Sequence, residues 1–157
     1  MDFAIHDTTH ILWAYCAGND VAAAHAWMFE GLAYCMSAKL NQTASTFCIA
    51  QQSGAGGGKS VGAPPGWKAL IKQGLKDGSD PDMRAVLNAQ QNSLNSGLAV
   101  KAWSLLDWFF SAKKKEFLRF LGMVKSQKPQ DQALVEAFGG SYDKLQGDWA
   151  AWVKANY

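Results

Sequence analysis

The sequence predicts a mainly α, helical bundle-like fold, and three observations predict it. Apolar residues recur at three- and four-residue spacing along most of the chain. Gly, Asn, Asp and Pro stand between those stretches as stop and start signals. A single short stretch, "TFCIA" at 46–50, has the composition of a strand, with no partner beyond one hairpin. The 157 residues, 48% of them hydrophobic and 18% charged, suffice for one domain, 1–157, with a sizeable core. Seven Trp and eight Phe predict that this core is rich in aromatic rings.

The elements follow in order. Residues 3–17 read as a helix with Ile5, Leu12, Trp13 and Cys16 on its apolar faces, stopped by Gly18-Asn19-Asp20. Asp20 is placed to cap a second helix to about 40, with Trp27, Phe29, Leu32, Ala33, Met36 and Leu40 as its apolar set. Residues 41–66 are dominated by Ser, Thr, Gln, Gly and Pro and read as a long flexible loop around the short strand. A short helix over 66–75 ends at Asp77-Gly78. Ser79-Asp80-Pro81 reads as a capped start for a helix over 81–93. A long apolar helix over 97–111 comes next. It is followed by an amphipathic helix over 113–126, with Phe117, Phe120, Leu121 and Val124 on its buried side. Pro129 opens a helix to about 138, closed by Gly139-Gly140, and the last helix, 141–155, carries Leu145, Trp149, Trp152 and Val153.

Several function classes are excluded by the totals. Fifteen Lys and Arg against 13 Asp and Glu leave a net charge of +2, too mild for a nucleic-acid binder. No apolar run reaches the roughly 18 residues of a membrane span. Asp2 and the early histidines do not make a signal peptide, so the sequence by itself leaves localisation open. The chain opens almost inside a motif, and the expectation is that a longer protein precedes Met1. Cys16, Cys35 and Cys48 fit no zinc-ribbon spacing. They allow one disulfide with a free thiol, or three buried thiols.

His6 and His10 stand four apart on the first helix, on one face, where two imidazoles can share an ion. Zinc takes three protein donors and a water in a catalytic site. The candidate third donor is Glu30, on the second helix after the reversal at 18–20, where an antiparallel pair returns it over the histidines. Its apolar neighbours Trp27, Phe29 and Leu32 make an isolated carboxylate costly there.

His6-Asp7-Thr8-Thr9-His10, followed after nineteen intervening residues by Glu30 in Trp27-Met28-Phe29-Glu30-Gly31-Leu32-Ala33-Tyr34, resembles the gluzincin metallopeptidases, especially their peptidase-MA-like branch. The stretches "AWSLLDWFF", "FLRFLGMVK" and "EAFGGSYDKLQGDWAAWV" resemble the helices that close that catalytic domain. The resemblance covers most of the chain outside 41–66. It implies one zinc ion on His6, His10 and Glu30, with Asp7 as the general base of a zinc-dependent hydrolase. The implied substrate is a peptide or another small molecule, and the implied compartment is secreted or periplasmic. Tyr34, Tyr142 and His25 are candidate oxyanion donors among which the sequence does not choose. Two features differ from the family. Asp7 stands where the family has Glu, which withdraws the carboxylate by roughly 1.5 Å, and displacements of about 1 Å cost on the order of 10²-fold in rate. The sheet that grips peptide substrate in the family has no counterpart before Phe3.

Three further stretches read more plainly. "SGAGGGKS" (53–60) resembles a phosphate-binding loop, but Ser53 replaces the first glycine, and Pro64-Pro65 oppose the helix that must follow Ser60. Lys113-Lys114-Lys115, with Arg119, Lys125 and Lys128, reads as the solvated face of a helix. Trp103, Trp108, Trp149 and Trp152 stand at helical spacing and read as core. Thr8 and Thr9 are expected to pack or to bond back to the helix backbone. His25 is expected in an exposed or core-edge position. Beside the hydrolase stand two other readings. One is a non-catalytic, degenerate peptidase module that binds a partner, and the other is a metal hydrolase acting on an ester.

Overall fold

The computed structural model describes residues 2–18, 21, 25–42 and 64–157. Among them are eight α-helices, one 3-10 turn and no strand. The helices are α1 (Asp2–Ala17), α2 (Ala26–Asn41), α3 (Pro64–Asp77), α4 (Met83–Leu87), α5 (Ser96–Ala112), α6 (Lys114–Lys125), α7 (Gln130–Phe138) and α8 (Tyr142–Asn156). The 3-10 turn, Gln91–Ser93, lies between α4 and α5. The mainly α reading therefore holds. The candidate strand 46–50 and the glycine-rich run 53–60 lie outside the described residues. Both ends of the 41–66 stretch belong to helices: Asn41 closes α2, and Pro64, Pro65 and Gly66 open α3. Proline is tolerated there because the first turn leaves its N–H groups unused.

α5 is the centre of the packing, touching α2, α3, α4, α6 and α8. Ten of its residues are buried, Ala99 to Leu106 without a break, plus Trp108 and Phe109. The mostly apolar run explains this burial, and the two polar side chains within it, Lys101 and Ser104, are hydrogen-bonded. The caps explain its boundaries. The Asn95 side chain accepts from the Leu98 N–H at 3.0 Å, satisfying a donor that the first turn leaves open. Aromatic rings knit the far end: Phe109 stacks on Phe117 at 5.2 Å, and Phe138 lies 4.9 Å from Phe109. Trp149 of α8 donates its indole N–H to Ser104 at 3.0 Å, and Ser104 also bonds the Tyr157 hydroxyl at 2.9 Å.

Three sequence-based boundaries are corrected. The helix that runs to Asn41 begins at Ala26, with His25 as its cap residue; the cap expected at Asp20 lies outside the described residues, and Val21 is helical. Asp82, not the Ser79-Asp80 pair, caps α4, accepting from the Arg84 N–H at 2.7 Å. Asp80 is instead drawn to the buried Lys101. The helix expected over 81–93 stops at Leu87, and Gln90 and Ser93 close a separate turn by a reciprocal pair of bonds.

The buried faces of the first two helices also differ from expectation. On α1 the inward stripe is His6, His10 and Ala17, with Trp13 partly covered, whereas Leu12 and Cys16 are exposed. On α2 the inward set includes Trp27, Glu30, Gly31, Tyr34 and Ser37, whereas Met36 and Leu40 face outward. Polar residues hold the face between these helices, so counting apolar residues mis-sets the rotation. Cys16 and Cys35 are both free thiols, so neither pairs with the other; Cys35 is buried and its thiol pKa is pushed up by burial. Cys48 lies outside the described residues.

Candidate metal centre

α2 lies between α1 and α5 and packs closely on both. Gly31 explains how it approaches α5. A Cβ at this position would stand 2.7 Å from Leu106 Cδ1 and 3.2 Å from the Ala102 carbonyl carbon and oxygen. The absent side chain lets the α2 backbone settle against the α5 backbone. Glu30, the preceding residue, is then turned away from α5 toward α1.

There the structure brings together the three residues singled out as donors. His6 and Glu30 are completely buried and His10 is 9% exposed. One ligand atom from each, all within 4.8 Å of one another, form a group able to hold a metal ion. His6 Nε2 lies 3.5 Å from Glu30 Oε2, and His10 Nε2 lies 3.6 Å from Glu30 Oε1. These separations exceed the roughly 2.7–3.2 Å of an N–H···O hydrogen bond. They are close to the edge of a coordination tetrahedron, about 3.3–3.4 Å for donors bound at about 2.0–2.1 Å. The imidazoles meet edge to face, with centroids 4.6 Å apart at 89°.

Packing fixes both rings. The Phe29 ring stacks on His10 with centroids 3.7 Å apart at 7°, and Tyr34 lies against His6 at 5.3 Å. Thr9 donates to the Ile5 carbonyl at 2.8 Å, the expected back-bond, and keeps its hydroxyl in the helix. Burial pushes the His10 pKa down to about 4 against the opposing pull of Glu30. At neutral pH the His10 imidazole is uncharged, the form a metal requires. The three side chains are therefore grouped as a set that could hold a metal ion.

Asp7 follows His6 on α1, half-buried, and its charge acts on His10. Of the three candidate oxyanion donors, Tyr34 is at the site. His25 and Tyr142 are engaged elsewhere. His25 Nδ1 meets Gln130 Oε1 at 2.8 Å, an oxygen that also accepts the Trp27 indole N–H at 2.9 Å. Both contacts require the Gln130 oxygen to face them, while its amide nitrogen donates to the Leu87 carbonyl at 3.0 Å. Burial lowers the His25 pKa. Tyr142 donates to Asp131 at 2.5 Å beneath the Arg84 guanidinium, and burial raises its hydroxyl pKa.

Two arrangements escaped the sequence reading. Phe29, read as core, is a ring support for His10. Lys101, wholly buried in α5, pairs with Asp80 and lies 3.2 Å from the Trp149 ring centroid. A lysine inside "GLAVKAWSLLDWFFS" is the signal that could have found it.

The chain matches no protein-family model, and neither a curated protein nor a solved structure is similar to it.

Proposed function

We propose that this chain is a zinc-dependent hydrolase, peptidase-like, whose single ion is held by His6, His10 and Glu30 and whose general base is Asp7. The observation that carries the proposal is the donor spacing, 3.5 and 3.6 Å from one buried carboxylate to two imidazoles. The His-Asp-x-x-His and Glu-Gly-Leu-Ala motifs support the same reading through their resemblance to gluzincins.

When bound, such an ion polarises a carbonyl and lowers the pKa of water to about 7. The chain's residues perform the rest. Glu30 and the two imidazoles orient the centre, locked by Phe29 and Tyr34. Asp7 takes the proton of the attacking water and returns it to the leaving amine. Tyr34, whose ring lies against His6, is the donor we assign to the developing oxyanion.

The test compares zinc-loaded wild type with Asp7→Ala on peptide and ester substrates. Wild type is expected to cleave peptides, and Asp7→Ala to lose about 10²-fold or more in kcat with its zinc content unchanged. Turnover by Asp7→Ala at the wild-type rate removes Asp7 as base. Preference for esters redirects the substrate class.

A second reading has its own observation. His6 and Glu30 are fully enclosed, as ligands are in closed structural sites. In this reading the ion clamps α1 to α2 in a non-catalytic module. Stoichiometric zinc without cleavage of any substrate favours it.

A further inference from the structure

The basic run that the sequence advertises is largely neutralised in the fold. Glu116 pairs with Lys113, Glu136 of α7 pairs with both Arg119 and Lys128, and Lys125 caps the Cys16 carbonyl at 2.7 Å. A different set is left without acidic partners. Lys68, Lys72 and Lys76 stand at four-residue spacing along one face of α3, and Lys154 of α8 adjoins them. Among the described residues, no carboxylate comes within ion-pair distance of any of the four. The nearest acid in sequence, Asp77, is occupied: it accepts from Gln73 at 3.1 Å and from the Ser79 N–H and hydroxyl at 3.0 and 2.6 Å.

The face is concave. Lys68, Lys72, Lys76 and Tyr157 border a depression of about 580 Å³, and Lys72, Lys76 and Lys154 border an adjoining one of about 350 Å³. Lys68 is held in place over the Tyr157 ring, 4.7 Å from its centroid.

We propose that this lysine row on α3 is a docking groove for an extended acidic peptide segment of a partner protein. Three features select that occupant. A helix advances about 6.0 Å per four residues, close to the roughly 6.6–6.8 Å between alternate side chains of an extended strand, so carboxylates at every second position meet successive lysines. Single-stranded nucleic acid needs open aromatic faces for its bases. The one ring here, Tyr157, is covered by Lys68, stacked on Trp103 at 5.8 Å and met edge-on by Trp152. A membrane surface needs large apolar side chains among the lysines. Ala69 and Gln73 lie among the lysines of the larger depression and a half-buried Leu75 among those of the smaller one, while the exposed Leu70 is about 200° around the helix from both Lys68 and Lys72. The groove does not depend on the metal reading.

Fluorescence anisotropy tests the proposal with three probes on the full chain: a labelled peptide alternating Glu and Ser, a labelled single-stranded oligonucleotide, and phosphatidylserine vesicles. The peptide is expected to bind most tightly and to release as salt rises. Lys72→Glu/Lys76→Glu is expected to weaken the peptide by about tenfold or more, because each change both removes an attraction and adds a repulsion. Lys114→Glu/Lys115→Glu on α6 makes the same change in net charge and is expected to alter binding less than about twofold. Lys72, Lys76, Lys114 and Lys115 are all exposed, so both variants are expected to fold, which thermal melts check. Equal losses in the two variants, absence of peptide binding, or tighter binding of the oligonucleotide or the vesicles overturns the proposal.

Discussion

Replacing Gly31 by Ala tests how the site is built. The new methyl would lie 2.7 Å from Leu106 Cδ1 and 3.2 Å from the Ala102 carbonyl. Leu106 is completely buried, so its methyl has little room to retreat, and the Ala102 contact is backbone. Overpacking of this kind costs about 1–3 kcal/mol. Ala also gains about 1 kcal/mol over Gly inside a helix. Those terms oppose each other, and the immovable backbone contact decides the sign: a net loss of about 1 kcal/mol is expected. The strain is relieved by moving α2 off α5, which carries Glu30 with it, so zinc affinity falls as well. Urea unfolding of the metal-free protein measures the first effect, and competition against a chromophoric chelator measures the second. Gly122→Ala on α6 is the control, since a Cβ there meets nothing within 4 Å. That variant is expected to be as stable as wild type or up to about 1 kcal/mol more stable. If Gly31→Ala matches the control in stability and wild type in zinc affinity, the close approach does not position the site.

Other outcomes follow from the buried ionisable groups. His10 has its pKa pushed from 6.5 to about 4 by burial, so the unfolded chain takes up its proton first as pH falls. Stability of the metal-free protein is therefore expected to be full above pH 6.5 and to be lost progressively down to about 4; denaturant melts of His10→Gln should lack this component of the slope. Lys101→Met leaves Asp80, whose side chain is 6% exposed, without its cation. The expected loss in urea unfolding is about 3 kcal/mol, at the low end for breaking a buried pair, because Gln146 still donates to Asp80 at 3.0 Å. A loss under about 1 kcal/mol would mean that the pair contributes little.

Where sequence and structure agree, local chemistry decides the element. Asn95 caps α5, Gly78 and Gly139 end α3 and α7 with φ of +77° and +70°, and the apolar spacing of α6 buries Phe117, Phe120 and Val124 as expected. These signals lie within a few residues of their effect. The histidine pair was legible for the same reason: four-residue spacing puts His6 and His10 on one face. The facing of α1 and α2 was not legible, because histidines and a glutamate take the place that Leu12, Met36 and Leu40 would claim on hydrophobicity alone. Asp80 was misread as a cap because its attraction to Lys101, twenty-one residues away, outweighs the local turn preference. That His25 is engaged away from the histidine pair likewise depends on contacts across the fold: Gln130 lies 105 residues from His25 in sequence.

The central claim is that His6, His10 and Glu30 bind one metal ion. Elemental mass spectrometry of protein purified without an affinity tag or added metal, on wild type, His10→Ala and Glu30→Gln, tests it most directly. The account predicts about one zinc per wild-type chain, almost none in His10→Ala and a large loss in Glu30→Gln. A wild-type chain that carries no metal and gains no thermal stability when zinc is added would contradict it, as would equal zinc in all three proteins.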